Sequence, residues 1–275
     1  MSVSWAVRTP HPVVRPLVAR YVGYAQQNVT LPVHRGLPSR HVTLIISLEQ
    51  PVRMAGPRPE YTKRAQAFVG GLHTEAVLIQ QDLVQAGIHL ELDPLGVRTL
   101  LGVTAAELSG YVVSLDELGL PDLASLPERL VEAPTWQQRF AILDDVLAAR
   151  AKELVEPAPE LDEAWRRMRG TAGQVRVGEL AEEIGWSRRH FGERFRAEVG
   201  LAPKQVARVL RFERAGALIR RGEPVDLAGI AVASGFYDQA HLSNEWRALA
   251  GCTPRTWIRE ELPFLQDSDV FGEPD

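Results

Sequence analysis

The apolar positions of the last hundred residues fall into one pattern that occurs twice. Leu180, Ala181 and Ile184 lead to the pair Gly185-Trp186, then to Phe191 and Phe195, and the run closes on Gly200 and Pro203. The same order returns with Ile230, Ala231 and Ser234, the pair Gly235-Phe236, then Leu242 and Trp246, and finally Gly251 and Pro254. The offset is 50 residues as far as the Gly-aromatic pair and 51 beyond it, so the second copy carries one inserted residue in its turn. Apolar residues at helical spacing on either side of a glycine predict two short helices and a tight turn. Each copy therefore reads as a helix-turn-helix.

Capping chemistry sharpens the second helix of each copy. Ser187 and Asp238 are good N-caps, and the helix after Ser187 is expected to run to about Val199. With Phe191 and Phe195 facing inward, Arg188, Arg189, Gly192, Glu193 and Arg196 face away. In the second copy Leu242 and Trp246 face inward, leaving Gln239, His241, Ser243, Asn244 and Glu245 outside. A helix-turn-helix presents this second helix to the DNA major groove. Arginine can bond guanine or a phosphate, and Gln and Asn can pair with adenine. Between the copies, Lys204 to Arg221 predicts one helix stopped by Gly222, about 27 Å long at the usual rise. Arg208, Arg211 and Arg214 are spaced for one side of it, either as phosphate contacts or as a solvated face.

The first 110 residues carry a different period. From Leu83 to Leu92 the chain alternates, with Val84, Ala86, Ile88, Leu90 and Leu92 on one face and Gln85, His89 and Glu91 on the other. The segment His41 to Leu48 also reads as a strand, and Asp93-Pro94 predicts a helix start. From Pro134 to Leu154 the period becomes helical, with Trp136, Phe140, Leu143 and Leu147 in one stripe. That stripe packs on its own domain or forms a dimerisation helix. Pro157 and Pro159 mark a linker. The expected organisation is α+β: a β-rich domain over 1–110, a helical connector over 111–156, an all-α domain with two helix-turn-helix motifs over 157–262, and an acidic tail over 263–275.

Composition changes this picture in a few places. The chain of 275 residues has room for two cores, and a single cysteine, Cys252, excludes an internal disulfide or a Cys-rich zinc site. The net charge of −4 hides a gradient, because residues 157–262 hold 17 Lys and Arg against 15 Asp and Glu. Four acids and no cation follow in the last thirteen residues. No basic segment precedes an apolar run at the N-terminus, and no apolar stretch is long enough to cross a membrane. The expectation is a cytoplasmic protein with no membrane partner. His34, His41, His73 and His89 invite a metal reading, yet no His-x-His pair occurs, so neither a metal site nor a cofactor is expected.

The tandem layout, the Gly235-Phe236-x-Asp238-Gln239-x-His241-Leu242 segment and the Gly251-x-Thr253-Pro254 close resemble the AraC/XylS family of bacterial transcription regulators. The likeness covers about residues 160–260. It implies a DNA-binding unit attached to an N-terminal effector or dimerisation domain, often a cupin-like β-barrel that binds a small molecule. The base-reading positions it implies are Arg189, Gly192 and Glu193 in the first reading helix and Gln239, Ala240 and Asn244 in the second. Gly192 and Glu193 depart from the family's usual residues, and Trp246 stands where phenylalanine is common.

The resulting expectation is a sequence-specific regulator with no catalytic residues. It binds double-stranded DNA through Arg188, Arg189, Glu193, Arg196, Gln239, His241 and Asn244, with Arg208 and Arg211 on phosphates. RNA polymerase, a small-molecule effector and a second copy of the chain are the further partners considered. The alternative is a protein-interaction or enzymatic N-terminal domain with weak or lost DNA reading. A DNA-repair enzyme with alkyl-accepting cysteines would need more than Cys252.

Overall fold

A computed structural model describes residues 2–55, 63–221 and 225–262. Among the described residues ten strands make two antiparallel sheets. The larger holds β1 (Ser2–Arg8), β2 (Val18–Gln27), β4 (Val42–Ser47), β7 (Ala67–Gly70), β9 (Val84–Leu92) and β10 (Val112–Ser114), in the order β1-β2-β9-β4-β7-β10. The smaller holds β3 (Val33–Gly36), β5 (Val52–Ala55), β6 (Lys63–Ala65) and β8 (Val77–Gln80), in the order β3-β8-β5-β6. The last strand of the larger sheet therefore lies just beyond residue 110.

The alternation expected for β9 is realised. Ile88, Leu90 and Leu92 are fully buried on one face with Leu44 and Ile46 of β4. They join the main core beneath a long helix, α5 (Trp136–Ala151). On the other face His89 and Glu91 point between the two sheets, with Arg20 and Val22 of β2 and Thr43 and Ile45 of β4. Met54 and Ala65 of the smaller sheet meet Phe68, Ile45 and Val112 of the larger, which closes one end of the sandwich.

The helical stripe on α5 is spent inside the chain. Phe140 stacks on Tyr21 at 5.9 Å between ring centroids, and Leu143 and Leu147 are buried. Trp136 lies so close to β2 that a Cβ on Gly23 would meet its ring at 2.6 Å, so only glycine fits there. Asp144, buried in the same helix, accepts from the Tyr21 hydroxyl and pairs with Arg8 at 2.7 Å. Burial, followed by the Asp144 charge, holds the Tyr21 phenol far above its ordinary range.

Short helices α1 (Val97–Leu101), α2 (Ala105–Leu108), α3 (Pro121–Ala124) and α4 (Leu126–Glu132) complete the N-terminal half. The helix expected at Asp93 begins later, after Gly96. Asp93 instead accepts from Leu95 N–H with one oxygen and from Trp165 Nε1 with the other, at 2.9 Å each. Its Oδ1 and carbonyl hold the turn through Leu95 and Gly96 that precedes the helix, and its Oδ2 ties that turn to Trp165.

The C-terminal half consists of α6 (Pro159–Gly170), α7 (Val177–Glu183), α8 (Arg188–Val199), α9 (Pro203–Arg221), α10 (Leu227–Ala233), α11 (Gln239–Ala250) and α12 (Pro254–Glu260). It is divided unevenly between two cores. Phe191, Phe195 and Val199 of the first motif belong to the same core as the sheet and α5. Phe236, Leu242 and Trp246 of the second form a separate cluster with Phe212 and Trp257. The expected helix stop at Gly222 and the acidic tail over 263–275 lie outside the described residues.

Candidate nucleic-acid interface and an interdomain cavity

The sequence repeat is realised as a repeated hydrogen-bond frame. Trp186 N–H donates to Ala181 O, and Phe236 N–H to Ala231 O, both at 2.9 Å. Gly185 and Gly235 take positive φ of 80° and 77°, which glycine adopts without the clash a Cβ would bring. Ser187 accepts from His190 N–H at 3.2 Å and Asp238 from His241 N–H at 2.7 Å, so both expected N-caps hold their helices. Gly200 and Gly251 close the helices with N–H bonds to Arg196 O and Arg247 O. Phe191 and Phe195 meet edge-to-face at 5.4 Å, and Leu242 and Trp246 are fully buried. Both second helices are thereby fixed with a polar face toward solvent.

The two outward faces differ. On α8, Arg189 is 89% exposed and donates to Glu193 at 2.8 Å. Arg188 folds back over α7, pairing with Glu182 at 3.3 Å, and a Cβ on Gly178 would strike its guanidinium. Arg196 is exposed about two turns further on. At Gly192 a Cβ would meet nothing within 4 Å, leaving an open notch between Arg189 and Arg196. On α11, Gln239 and Asn244 are exposed, and Asn244 Oδ1 accepts from Arg247 at 3.3 Å. His241 is half committed, because its Nδ1 accepts from Tyr237 N–H at 3.2 Å.

Tyr237 is the residue inserted in the second copy, between Phe236 and the cap Asp238. It is 90% exposed at the mouth of α11. The one-residue insertion is visible in the sequence, but only the fold places its side chain in the open.

Arg208 and Arg211 of α9 are engaged by protein. Arg208 Nε pairs with Glu245 of α11 at 2.6 Å. Arg211 donates to Gly173 O at 3.4 Å and lies over the Phe236 ring, so it bridges the turn before the first motif and the turn of the second. Burial lowers its guanidinium pKa.

A cavity of about 520 Å³ opens between the sheets and is closed by α9 and α12. Ile45, Met54, Phe68 and Ile79 form its apolar interior, and Phe212 and Trp257 close it from the helical side. At its floor Arg20 holds Glu91 through two bonds of 2.9 and 2.7 Å. His41 lies 3.5 Å from the same carboxylate, yet burial pushes its imidazole down to about 3, more than Glu91 raises it. Burial also lowers His73 and His89. Desolvation pushes Glu91 up, but His41 and Arg20 outweigh it and hold the carboxyl at about 2. Among the described residues no group of three or more His, Cys, Asp or Glu could hold a metal ion, and no helix could cross a membrane.

The same cavity wall grips the second motif. Arg35 and His34 of β3 both reach Glu261, at 2.8 Å each, and Arg40 N–H donates to Glu213 of α9 at 3.0 Å. Leu37 packs into the second motif's core. The first motif is held elsewhere, by Ser109 Oγ donating to Gly200 O at 3.3 Å and by Arg98 pairing with Glu198 at 3.0 Å.

A family model described as a helix-turn-helix domain matches residues 180–260. No curated protein matches the chain. Among solved structures, the apo form of a ToxT variant from Vibrio cholerae is similar at a TM-score of 0.55 and 10% identity, over 92% of this chain and 99% of its own. ToxT from Vibrio cholerae with an unsaturated fatty acid bound gives 0.51 and 11%, over 94% and 95%. The α+β architecture, a β-rich half followed by a helical half, is thus the architecture of ToxT. Residues 180–260 thus match a helix-turn-helix domain in a chain that shares the ToxT fold.

Proposed function

We propose that the chain reads a specific double-stranded DNA site through α8 and α11 in successive major grooves, and that a small molecule in the cavity modulates it. In this reading residues 1–110 sense, 111–156 connect and 157–262 bind DNA, with no catalytic step. The observation that carries it is the repeated frame, which fixes two polar helix faces on either side of one strut. The strut α9 has 19 residues. At the usual rise it is about 28 Å long, comparable with the roughly 34 Å of one duplex turn.

The two faces suit different chemistry. Arg189, exposed and steered by Glu193, fits guanine or a phosphate, and Arg196 fits the backbone beside it. Gln239 and Asn244 fit adenine. Arg188 and His241, tied to their own turns, orient the helices against the backbone. Arg208 and Arg211 hold the strut to the second motif.

The ligand half of the reading rests on the cavity. Phe212 and Gly216 line it and belong to the strut, so an occupant touches the helix that sets the spacing of the readers. ToxT, whose fold is shared, has been solved with a fatty acid bound, which supports a ligand-binding role for such an architecture.

Selection of preferred sites from random duplexes tests the reading. Arg189→Ala and Gln239→Ala should relax discrimination at positions about one turn apart, by about 1–3 kcal/mol each. Affinity should fall steeply with salt. A flat salt response, or two variants silent at every position, would overturn it.

A further inference from the structure

We propose that the cavity takes an uncharged, largely apolar organic molecule carrying hydroxyl or carbonyl groups, and discriminates against carboxylates. This rests on the reading of the cavity as an effector site, and names the class of effector.

The charge pairing of the walls carries the inference. Among the described residues the lining holds four arginines, and each is already engaged by the protein. Arg20 forks onto Glu91, with side chains only 13% and 11% exposed. Arg35 is committed to Glu260 and Glu261. Arg40 is placed against Glu213, and Arg220 also has a partner. Burial lowers His41, His73 and His89, and His34 is already paired with Glu261 at 2.8 Å. A ligand carboxylate entering the floor would lie beside Glu91 or draw Arg20 away from it. Either arrangement leaves a buried charge without compensation.

The remaining polar lining matches a neutral guest. Tyr24, Gln26 and Thr43 face the cavity and offer a phenol, an amide and a hydroxyl. Burial pushes the Tyr24 phenol up to about 12, so it stays a proton donor throughout the physiological range. Ile45, Met54, Phe68 and Phe212 supply apolar surface for the body of the molecule. A cavity of about 520 Å³ is within the range that buries a drug-sized ligand.

The test uses the full chain and two probes of one skeleton. N-phenyl-1-naphthylamine is neutral, and 8-anilino-1-naphthalenesulfonate carries a negative charge. Fluorescence titration should show the neutral probe binding one-to-one and about tenfold or more tighter than the sulfonate. 1-Dodecanol should displace it, and dodecanoate should need about tenfold more. Met54→Trp, which fills the cavity, should abolish binding of the neutral probe. Glu91→Gln leaves Arg20 uncompensated and should raise dodecanoate affinity about tenfold.

Equal or tighter binding of dodecanoate by the unaltered chain overturns the proposal and leaves the effector reading standing. Neither probe nor competitor binding overturns both, as does neutral-probe binding that Met54→Trp leaves unchanged. Should Glu91→Gln fail to fold, the comparison of alcohol and acid on the unaltered chain decides alone.

Discussion

Glu261, at the end of the last described helix, is bound by both carboxylate oxygens to one residue of the opposite domain, Arg35. Oε1 accepts from Nη1 at 2.8 Å and Oε2 from the backbone N–H at 3.2 Å. The Glu261 side chain is fully buried and holds His34 as well as Arg35, whereas Arg35 is 23% exposed and also pairs with Glu260. Glu261→Ala should therefore cost about 1–3 kcal/mol of stability, the size of leaving buried donors unsatisfied. Burial pushes the Glu261 carboxyl up, but the bonds from His34 and Arg35 prevail and hold it below the ordinary range. A depressed folded-state pKa gives stability that is present above the unfolded value, about 4.3, and is lost as pH falls through the folded one. Thermal melts from pH 7 to 3 should show the gap between the parent and Glu261→Gln narrowing only below about pH 4.5. A gap independent of pH would contradict the pairing.

Arg208 and Glu245 tie the strut to the second reading helix at 2.6 Å, with side chains 33% and 22% exposed. If that is their role, Arg208→Glu weakens DNA binding at every position of the site alike, and Glu245→Arg in the same chain restores it. A phosphate contact at Arg208 would leave the reversed pair as weak as the single variant. Gel-shift titration of the two single variants and the pair distinguishes these, with a stability effect of only about 1 kcal/mol for a half-exposed pair.

The reading helices were legible because their signals are local. Ser187, Asp238 and the paired glycines act within a few residues, and the structure keeps every one of them. Strand β9 was equally legible, down to which face holds His89 and Glu91. What that face looks at was not, because the opposing strands β3, β5, β6 and β8 are only three or four residues long and carry no clear period. The Arg35–Glu261 contact joins residues 226 apart in the chain, and no single sequence shows such a pairing. The bond from Trp165 to Asp93, 72 residues away, was hidden for the same reason. The shared core of the sheet and the first motif was hidden likewise, since a proline-marked linker suggests separation whatever packs across it.

Gly192 sits in the middle of α8 with open space around its missing side chain. Gly192→Ala should therefore raise stability by about 0.5–1 kcal/mol through reduced backbone freedom in an exposed helix. A melting temperature that rises with no loss of DNA affinity would mean that the notch is merely unused. Affinity that falls while stability rises would show that the backbone of α8 approaches the DNA closely there.

Tyr237 exists only in the second copy, and its side chain is 90% exposed beside the cap of α11. A phenol at that place can bond a phosphate, which positions the helix without reading sequence. Tyr237→Phe should then weaken binding by about 1 kcal/mol across all sites, the size of one hydrogen bond. The salt dependence should keep its slope, because no cation is removed. Tyr237→Ala should cost more, again without changing the order of preferred sequences. The discriminating measurement is the ranking of single-base variants of the selected site. A reordered ranking would make Tyr237 a base reader, and no change in affinity would leave its exposure unexplained by DNA contact.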